Sequence, residues 1–199
     1  ERKVLASLPF DEEEFRQTAG APTLTGEAGY TTLERVWIRP TLDVNGILGG
    51  FTGKGSKTVI PSRAMAKVSM RLVPDQDPDE IADLFERHVK TLCPSTVHLT
   101  VQRLHGGKPF LAQIDHPIFS AARRALEQAF GRPPVFIREG GSIPFVTTIA
   151  ETLNRPCLLV GFGLPDENAH APNEHLDLEN YHRGIQAVTH LYRELADLS

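Results

Sequence analysis

The chain has no apolar run approaching the roughly 18 residues that a membrane span requires, so no membrane partner is expected. It has only two cysteines, Cys93 and Cys157, and their spacing matches no metal motif. That pair makes neither a disulfide framework nor a thiolate metal site, and it points to a reducing, cytoplasmic setting. It has no large excess of one charge: the net value is -4. Nucleic acid and anionic lipid are therefore not expected as partners. There is no internal repeat and no low-complexity stretch. There is no initiator Met and no signal-peptide pattern, since the chain opens at Glu1-Arg2-Lys3. A processed, cloned or proteolysed chain would all begin in this way. There is also no serine nucleophile elbow, because Pro144 stands where Gly-x-Ser-x-Gly needs its second glycine.

What is present suffices for folded domains. Of the 199 residues, 40% are hydrophobic and 23% charged, which allows a sizeable core in one medium domain or two small ones. Residues 1–35 are mixed. The acidic run Asp11-Glu12-Glu13-Glu14 starts a short surface helix, and Gly20, Pro22, Gly26 and Gly29 then interrupt the pattern. From Val36 the pattern turns to strands. Trp37, Ile38 and Val44 flank Pro40, Asn45-Gly46 signals a turn, and Thr58-Val59-Ile60 is a short β-branched run. From Ala66 to Leu72 the residues alternate, with Val68, Met70 and Leu72 on one face and Lys67, Ser69 and Arg71 on the other. A helix follows, with Asp77 as N-cap, Pro78 at its first position and Glu80 at capping-box spacing. Ile81, Leu84, Phe85, His88, Val89 and Leu92 form its stripe. Val97, Leu99 and Val101 alternate as a further strand. This order predicts an α+β domain over 1–112, an antiparallel sheet with helices on one face.

Residues 113–199 read differently. Asp115-His116-Pro117 opens a helix with Ile118, Ala122, Ala125, Leu126 and Ala129 inward, closed by Gly131. Val135–Ile137 and Cys157–Val160 are short apolar strands. Gly140-Gly141-Ser142 leads into a helix with Pro144 in its first turn. Tyr181, Ile185, Val188, Leu191 and Leu195 mark a last helix. Alternation of helix and strand is the α/β signature, yet two strands are few for an open sheet. The segment reads as the tail of a larger α/β domain.

Several residues carry chemistry. His170 lies in a polar loop between strand and helix, where α/β folds place their sites. A neutral imidazole there is either a metal ligand or a surface histidine in a turn. His175-Leu176-Asp177 imitates a metal-binding His-x-Asp pair, but Asp177 precedes the last helix and is better explained as its N-cap. Gly140-Gly141-Ser142 offers backbone amides at a helix start, suited to a carboxylate or oxyanion, or else forms a plain cap. Glu139 is open to three roles: general base, partner of a substrate amine, or partner of Arg138. Gly106 and Gly107 suggest a hinge and a close backbone approach, and His105 beside them is either a solvent-facing or a catalytic histidine. Arg71 is an exposed arginine or a carboxylate clamp.

Six stretches occur in order: Arg39–Gly46, Lys57–Pro61, Arg71–Pro74, His105–Pro109, Arg138–Pro144 and Ala169–Glu174. Together they resemble the aminoacylase–carnosinase metallopeptidases, most of all the branch of cytosolic non-specific dipeptidases and their bacterial relatives. The resemblance implies a lid domain, usually dimerising, inserted into a catalytic α/β domain that holds two zinc or manganese ions. His170 matches the last metal ligand. Thr58, Arg71, His105, Glu139 and Ser142 match positions that contact the bound peptide, with Thr58 serving the partner subunit's site. Gly141 and Ser142 match the turn that holds the substrate carboxylate.

The family's other ligands, its general base and its oxyanion histidine have no matching positions in these residues. A co-catalytic centre needs several ligands for each of two ions. The expectation is therefore an intact enzyme that hydrolyses small peptides or N-acyl amino acids, and an isolated chain without catalytic residues of its own, without tightly bound metal and without activity. Two other readings stand beside it: a non-catalytic dimerisation module derived from the same family, and a metal-free anion-binding protein that uses the Gly140–Ser142 turn.

Overall fold

A computed structural model describes residues 2–139 and 143–198. Among these the elements run α1 (Arg2–Leu5), α2 (Glu12–Thr18), α3 (Thr32–Trp37), β1 (Asp43–Gly49), β2 (Ala64–Ser69), α4 (Pro78–Leu92), α5 (Pro117–Phe130), α6 (Pro144–Leu153) and α7 (Leu178–Ala196). The residues divide into two compact units. One comprises Glu1–Leu8, Thr25–Phe110 and Arg138–Thr147; the other comprises Pro9–Leu24, Leu111–Ile137 and Thr148–Ser199.

The first unit begins with α1 and α3 in contact. Leu5 and Leu33 are buried there. The stretch Val36-Trp37, expected to begin a strand, instead ends α3. Its helix is set by a capping box: the Thr31 hydroxyl accepts the Glu34 amide at 3.3 Å, and the Glu34 carboxylate accepts the Thr31 amide at 2.7 Å. Two satisfied amides outweigh the β-branched character of Val36. Arg2 Nε then reaches the same carboxylate at 2.9 Å.

β1 and β2 pair antiparallel, from Asp43↔Ser69 to Gly49↔Ala64, with an irregularity between Val44 and Gly46. Asn45-Gly46 therefore makes a bulge inside a strand and not the turn its sequence signalled. Gly46 lies over the side chain of Lys67, where an added Cβ would be 3.7 Å from Cδ. Val68, Met70 and Leu72 are partly covered while Lys67, Ser69 and Arg71 are exposed, as the alternation predicted. Among the described residues the sheet is two-stranded, with no helix layer packed on it. Every β1 residue except Gly46, and every β2 residue except Val68, is exposed. Two strands present too little apolar face to hold a helix layer.

Asp77 caps α4 by accepting from the amides of Asp79 and Glu80, with Pro78 in the first turn. Its stripe is covered only in part: Ile81, Phe85 and Val89 are half-buried, whereas Leu84, His88 and Leu92 are exposed.

The second unit is built on α5 and α7, which pack together. Phe119, Ala121, Ala122 and Ala125 of α5 and Gly184 and Ala187 of α7 are buried. Small side chains let helix backbones approach closely, and burial of Phe119 adds about 1.5–3 kcal/mol. Arg124 Nε donates to Glu194 Oε2 at 2.6 Å along the same seam. α5 ends at Gly131, whose φ of 70° is the left-handed cap geometry the glycine predicted. The acidic run at Glu12 forms α2, capped by Asp11, as expected.

The runs 58–60, 97–101, 135–137 and 157–160, expected as strands, make no sheet pairing among the described residues. Val135, Ile137 and Leu159 are each more than half exposed. A strand apolar on both faces needs neighbours on both edges. Without them the apolar run has no ladder to join.

Candidate functional site

His170 lies in the second unit, in the loop that leads to α7. Its backbone has φ 63°, the left-handed region, and Asn168 and Asn173 share it at 53° and 62°. Non-glycine residues in this region cost free energy and persist only where surroundings hold them. Here the hold is visible. The Glu167 amide donates to Leu164 O at 3.3 Å, the Ala171 amide to Asn168 O at 2.9 Å, and the His175 amide to Glu167 O at 3.0 Å. At the loop's base the Glu167 carboxylate accepts the Asp177 amide at 3.0 Å. Asp177 itself caps α7 by accepting the Asn180 amide at 2.7 Å. The Asn180 side-chain amide donates to Phe162 O. Asp177 thus has the capping role read from its sequence, and the His175-Leu176-Asp177 imitation of a metal pair is explained. His175 Nδ1 contacts Asn173 O at 3.1 Å. The ring of His170 is exposed, and among the described residues it makes no hydrogen bond or ion pair.

Beside this loop the exposed face of α7 lines an open groove of about 490 Å³ with Phe162, Leu176, Tyr181, Ile185, Val188 and Tyr192. Tyr181, Ile185 and Val188 were expected as the helix's packed face. Gly184 and Ala187 are buried instead, and Gly184 lies against the Phe162 ring, where an added Cβ would be 3.2 Å from Cδ2.

Thr58, Arg71, His105 and Glu139 belong to the first unit, and all four are exposed. Thr58 lies in the long connection from β1 to β2. Arg71 sits just beyond β2 and extends its pairing: the Thr41 amide donates to Arg71 O at 3.1 Å, and the Arg71 amide to Thr41 Oγ1 at 3.4 Å. His105 is placed by two anchors. Arg103 Nη2 reaches Asp83 Oδ1 and Glu86 Oε2, both at 2.6 Å, which ties the segment to α4. Gly106 then lies against Pro78, where an added Cβ would be 3.3 Å from the proline Cβ, the close approach its glycine implied. Lys90 and Arg103 together hold the Glu86 carboxyl below the usual carboxylate range. Thr147 Oγ1 donates to Lys108 O at 3.2 Å, which joins the segment of Glu139 to that of His105. Gly141 and Ser142, with the whole carboxylate turn and its expected orientation toward His170, lie outside the described residues.

Arg39, first residue of one recognised stretch, has a structural partner. It donates from Nε and Nη2 to the Glu27 carboxylate at 2.7 and 2.8 Å and stacks over Tyr30, 4.4 Å from the ring centroid. This hydrogen bonding lowers the Glu27 carboxyl and raises the Arg39 guanidinium. Glu167 was missed by sequence reading. An acidic residue in a polar loop looks solvated, and only the folded chain shows it buried at 8% exposure.

Among the described residues no three His, Cys, Asp or Glu side chains converge to hold a metal ion. His170 could fill one coordination position, since the residue is exposed and its ring has no partner among the described residues. Structural or catalytic zinc takes about four ligands. Neither cysteine is in a disulfide. Among the described residues no helix is long and apolar enough to cross a membrane.

Comparison with known proteins shows the family. The chain belongs to peptidase family M20/M25/M40, whose family model matches residues 4–194. It is 33% identical over 202 residues to the Cys-Gly metallodipeptidase dug1 of Schizosaccharomyces pombe, covering 100% of this chain and 42% of that protein. It is 30% identical over 195 residues to the human Beta-Ala-His dipeptidase, covering 96% of this chain and 38% of the relative. Among solved structures it resembles the di-peptidase Dug1p of Saccharomyces cerevisiae with a TM-score of 0.84 at 29% identity, over 98% of this chain and 42% of that one. The M20 family metallo-carboxypeptidase Sso-CP2 of Sulfolobus solfataricus matches with a TM-score of 0.83 at 27% identity, over 96% and 44%. The chain thus spans about two fifths of the length of the relatives it matches.

Proposed function

We propose that this chain is the lid and the C-terminal catalytic segment of a metal-dependent dipeptidase or deacylase, one that hydrolyses an amide bond in a small peptide or N-acyl amino acid. The observation that carries the reading is His170: an exposed imidazole with no protein partner among the described residues, held on a left-handed backbone by a tied loop. The names of the relatives, metallodipeptidase and dipeptidase, support the substrate class.

In this reading residues 1–112 form the lid and residues 113–199 belong to the α/β catalytic domain. His170 supplies one ligand to a centre of two divalent ions, zinc or manganese, whose remaining ligands lie beyond these residues. Bound metal of this kind polarises a scissile carbonyl and lowers the pKa of water. The chain's own groups bind and orient. Arg71 and the turn at Gly141 and Ser142 grip the substrate carboxylate, a positioning role that lowers the entropic part of the barrier. His105 and Glu139 contact the peptide, with Glu139 suited to the free amine by its charge. Thr58, on the long β1–β2 connection, serves the site of a second copy, the lid being the dimer contact. The catalytic general base lies outside these residues, the isolated chain is inactive, and the setting is cytoplasmic.

The test uses the full-length protein and His170→Ala. Hydrolysis of Cys-Gly and of β-Ala-His is measured with zinc or manganese supplied. The reading expects the variant to lose on the order of a hundredfold or more in activity, at least what loss of a ligand-supporting group costs. A full-length protein that binds no metal and cleaves neither peptide would instead favour the non-catalytic dimerisation module.

A further inference from the structure

The loop that carries His170 is organised around one carboxylate, and nothing in the family reading gives that carboxylate a task. Glu167 is buried at 8% exposure, three residues before the histidine. Its backbone carbonyl accepts the His175 amide at 3.0 Å, and its side chain accepts the Asp177 amide at 3.0 Å. One residue therefore closes the loop twice, from both main chain and side chain. The other carboxylate oxygen, Oε2, faces the backbone at Gly163, where an added Cβ would come within 3.1 Å. A residue larger than glycine at 163 would push this carboxylate out of place. The amide it accepts belongs to Asp177, the residue that caps α7. The loop is thereby tied to the rigid end of a 19-residue helix.

From this geometry we infer that Glu167 is the positioning residue of His170: its carboxylate locks the loop against the start of α7 and so sets the left-handed backbone from which the imidazole projects. The inference rests on His170 being a metal ligand. The physical ground is that a backbone at φ 63° reverts to commoner conformations unless its surroundings over-determine it. A hydrogen bond from a backbone amide to a buried carboxylate constrains a loop more tightly than a neutral one. Ligand orientation set by such outer contacts is worth roughly ten- to a hundredfold in metal affinity.

The experiment compares Glu167→Ala, Glu167→Gln and His170→Ala in the full-length protein. Zinc affinity is measured by chelator competition, thermal midpoint by calorimetry, and amide exchange of the 163–177 segment by mass spectrometry. Glu167→Ala is expected to weaken zinc binding about ten- to a hundredfold and to speed exchange within this segment. Glu167→Gln keeps an acceptor for the Asp177 amide and is expected to recover most of the affinity. A merely structural role would lower the thermal midpoint in Glu167→Ala and leave zinc affinity unchanged. If His170→Ala loses zinc and neither Glu167 variant does, the positioning role is overturned while the ligand reading stands. If His170→Ala binds zinc as the wild type does, both fall together. Should Glu167→Ala fail to fold, Glu167→Gln decides: affinity within twofold of wild type with normal exchange supports the acceptor role, and a loss equal to that of His170→Ala overturns it.

Discussion

Glu34 is a residue whose sequence neighbourhood says cap and whose folded surroundings say clamp. The Thr31 amide, above all, holds its carboxyl below the usual range, and the nearby Arg2 guanidinium acts in the same direction. A carboxyl lowered on folding stabilises the native state at pH values above its unfolded value, about 4.3. That contribution is lost as the pH falls through the lower, folded value. The contact of α1 with α3 is therefore expected to loosen below about pH 4. NMR titration of Glu34 should show its midpoint below that of an ordinary glutamate, with the Arg2 and Thr31 signals shifting together. An ordinary midpoint would mean the clamp does not form in solution. The Asp177 cap teaches a related lesson. Its position before a helix outweighed a metal-like spacing, because unpaired amides at a helix start demand an acceptor wherever they occur.

At the scale of elements, the α5–α7 pair is the best packed part of the chain. Ala125 has 1% of its surface exposed and Ala187 has 2%. Ala125→Leu is expected to destabilise by about 1–3 kcal/mol through overpacking. The thermal midpoint should fall by roughly 2–4 °C for each kcal/mol. Calorimetry reads this directly, and an unchanged midpoint would show that the seam has room. Helices were legible because capping residues, prolines at first positions and Gly131 mark their ends locally. Strands were not. Val135–Ile137 and Leu158–Val160 have the right composition, yet a strand exists only through its neighbour, and neighbours are not written in a local window. α7 shows the same limit on a helix: its existence followed from periodicity, but the face that packs is the small one. The choice between Gly184 and Ala187 on one side and Tyr181 and Ile185 on the other depended on α5, which packs on α7, and on the Phe162 ring, which lies against Gly184.

For the molecule as a whole, the proposed lid should bring two copies together. Among the described residues β1 and β2 form a two-stranded sheet, so each strand has an edge without a paired strand, and Ile47 on β1 is 82% exposed. Free edges and bare apolar side chains are what a second copy would cover. Light scattering of the full-length protein at micromolar concentration is expected to give twice the single-chain mass. An Ile47→Lys variant should shift it toward the single-chain value, and a monomeric wild type would remove the dimer from the reading.

Local pattern alone determined the ends of the helices, the alternation in β2, the capping role of Asp177 and the six ordered stretches that carry the family likeness. These depend on a few neighbouring residues, and the energies that decide them act over one or two turns. Tertiary structure alone decided that Asn45-Gly46 is a bulge, which face of α7 packs, and that Glu167 is buried at the base of the His170 loop. Each of those outcomes turns on a partner distant along the chain — Lys67 for Gly46, α5 for α7, Asp177 for Glu167. A contact between distant residues forms only when the whole chain closes the loops between them, and no short stretch of sequence contains that information.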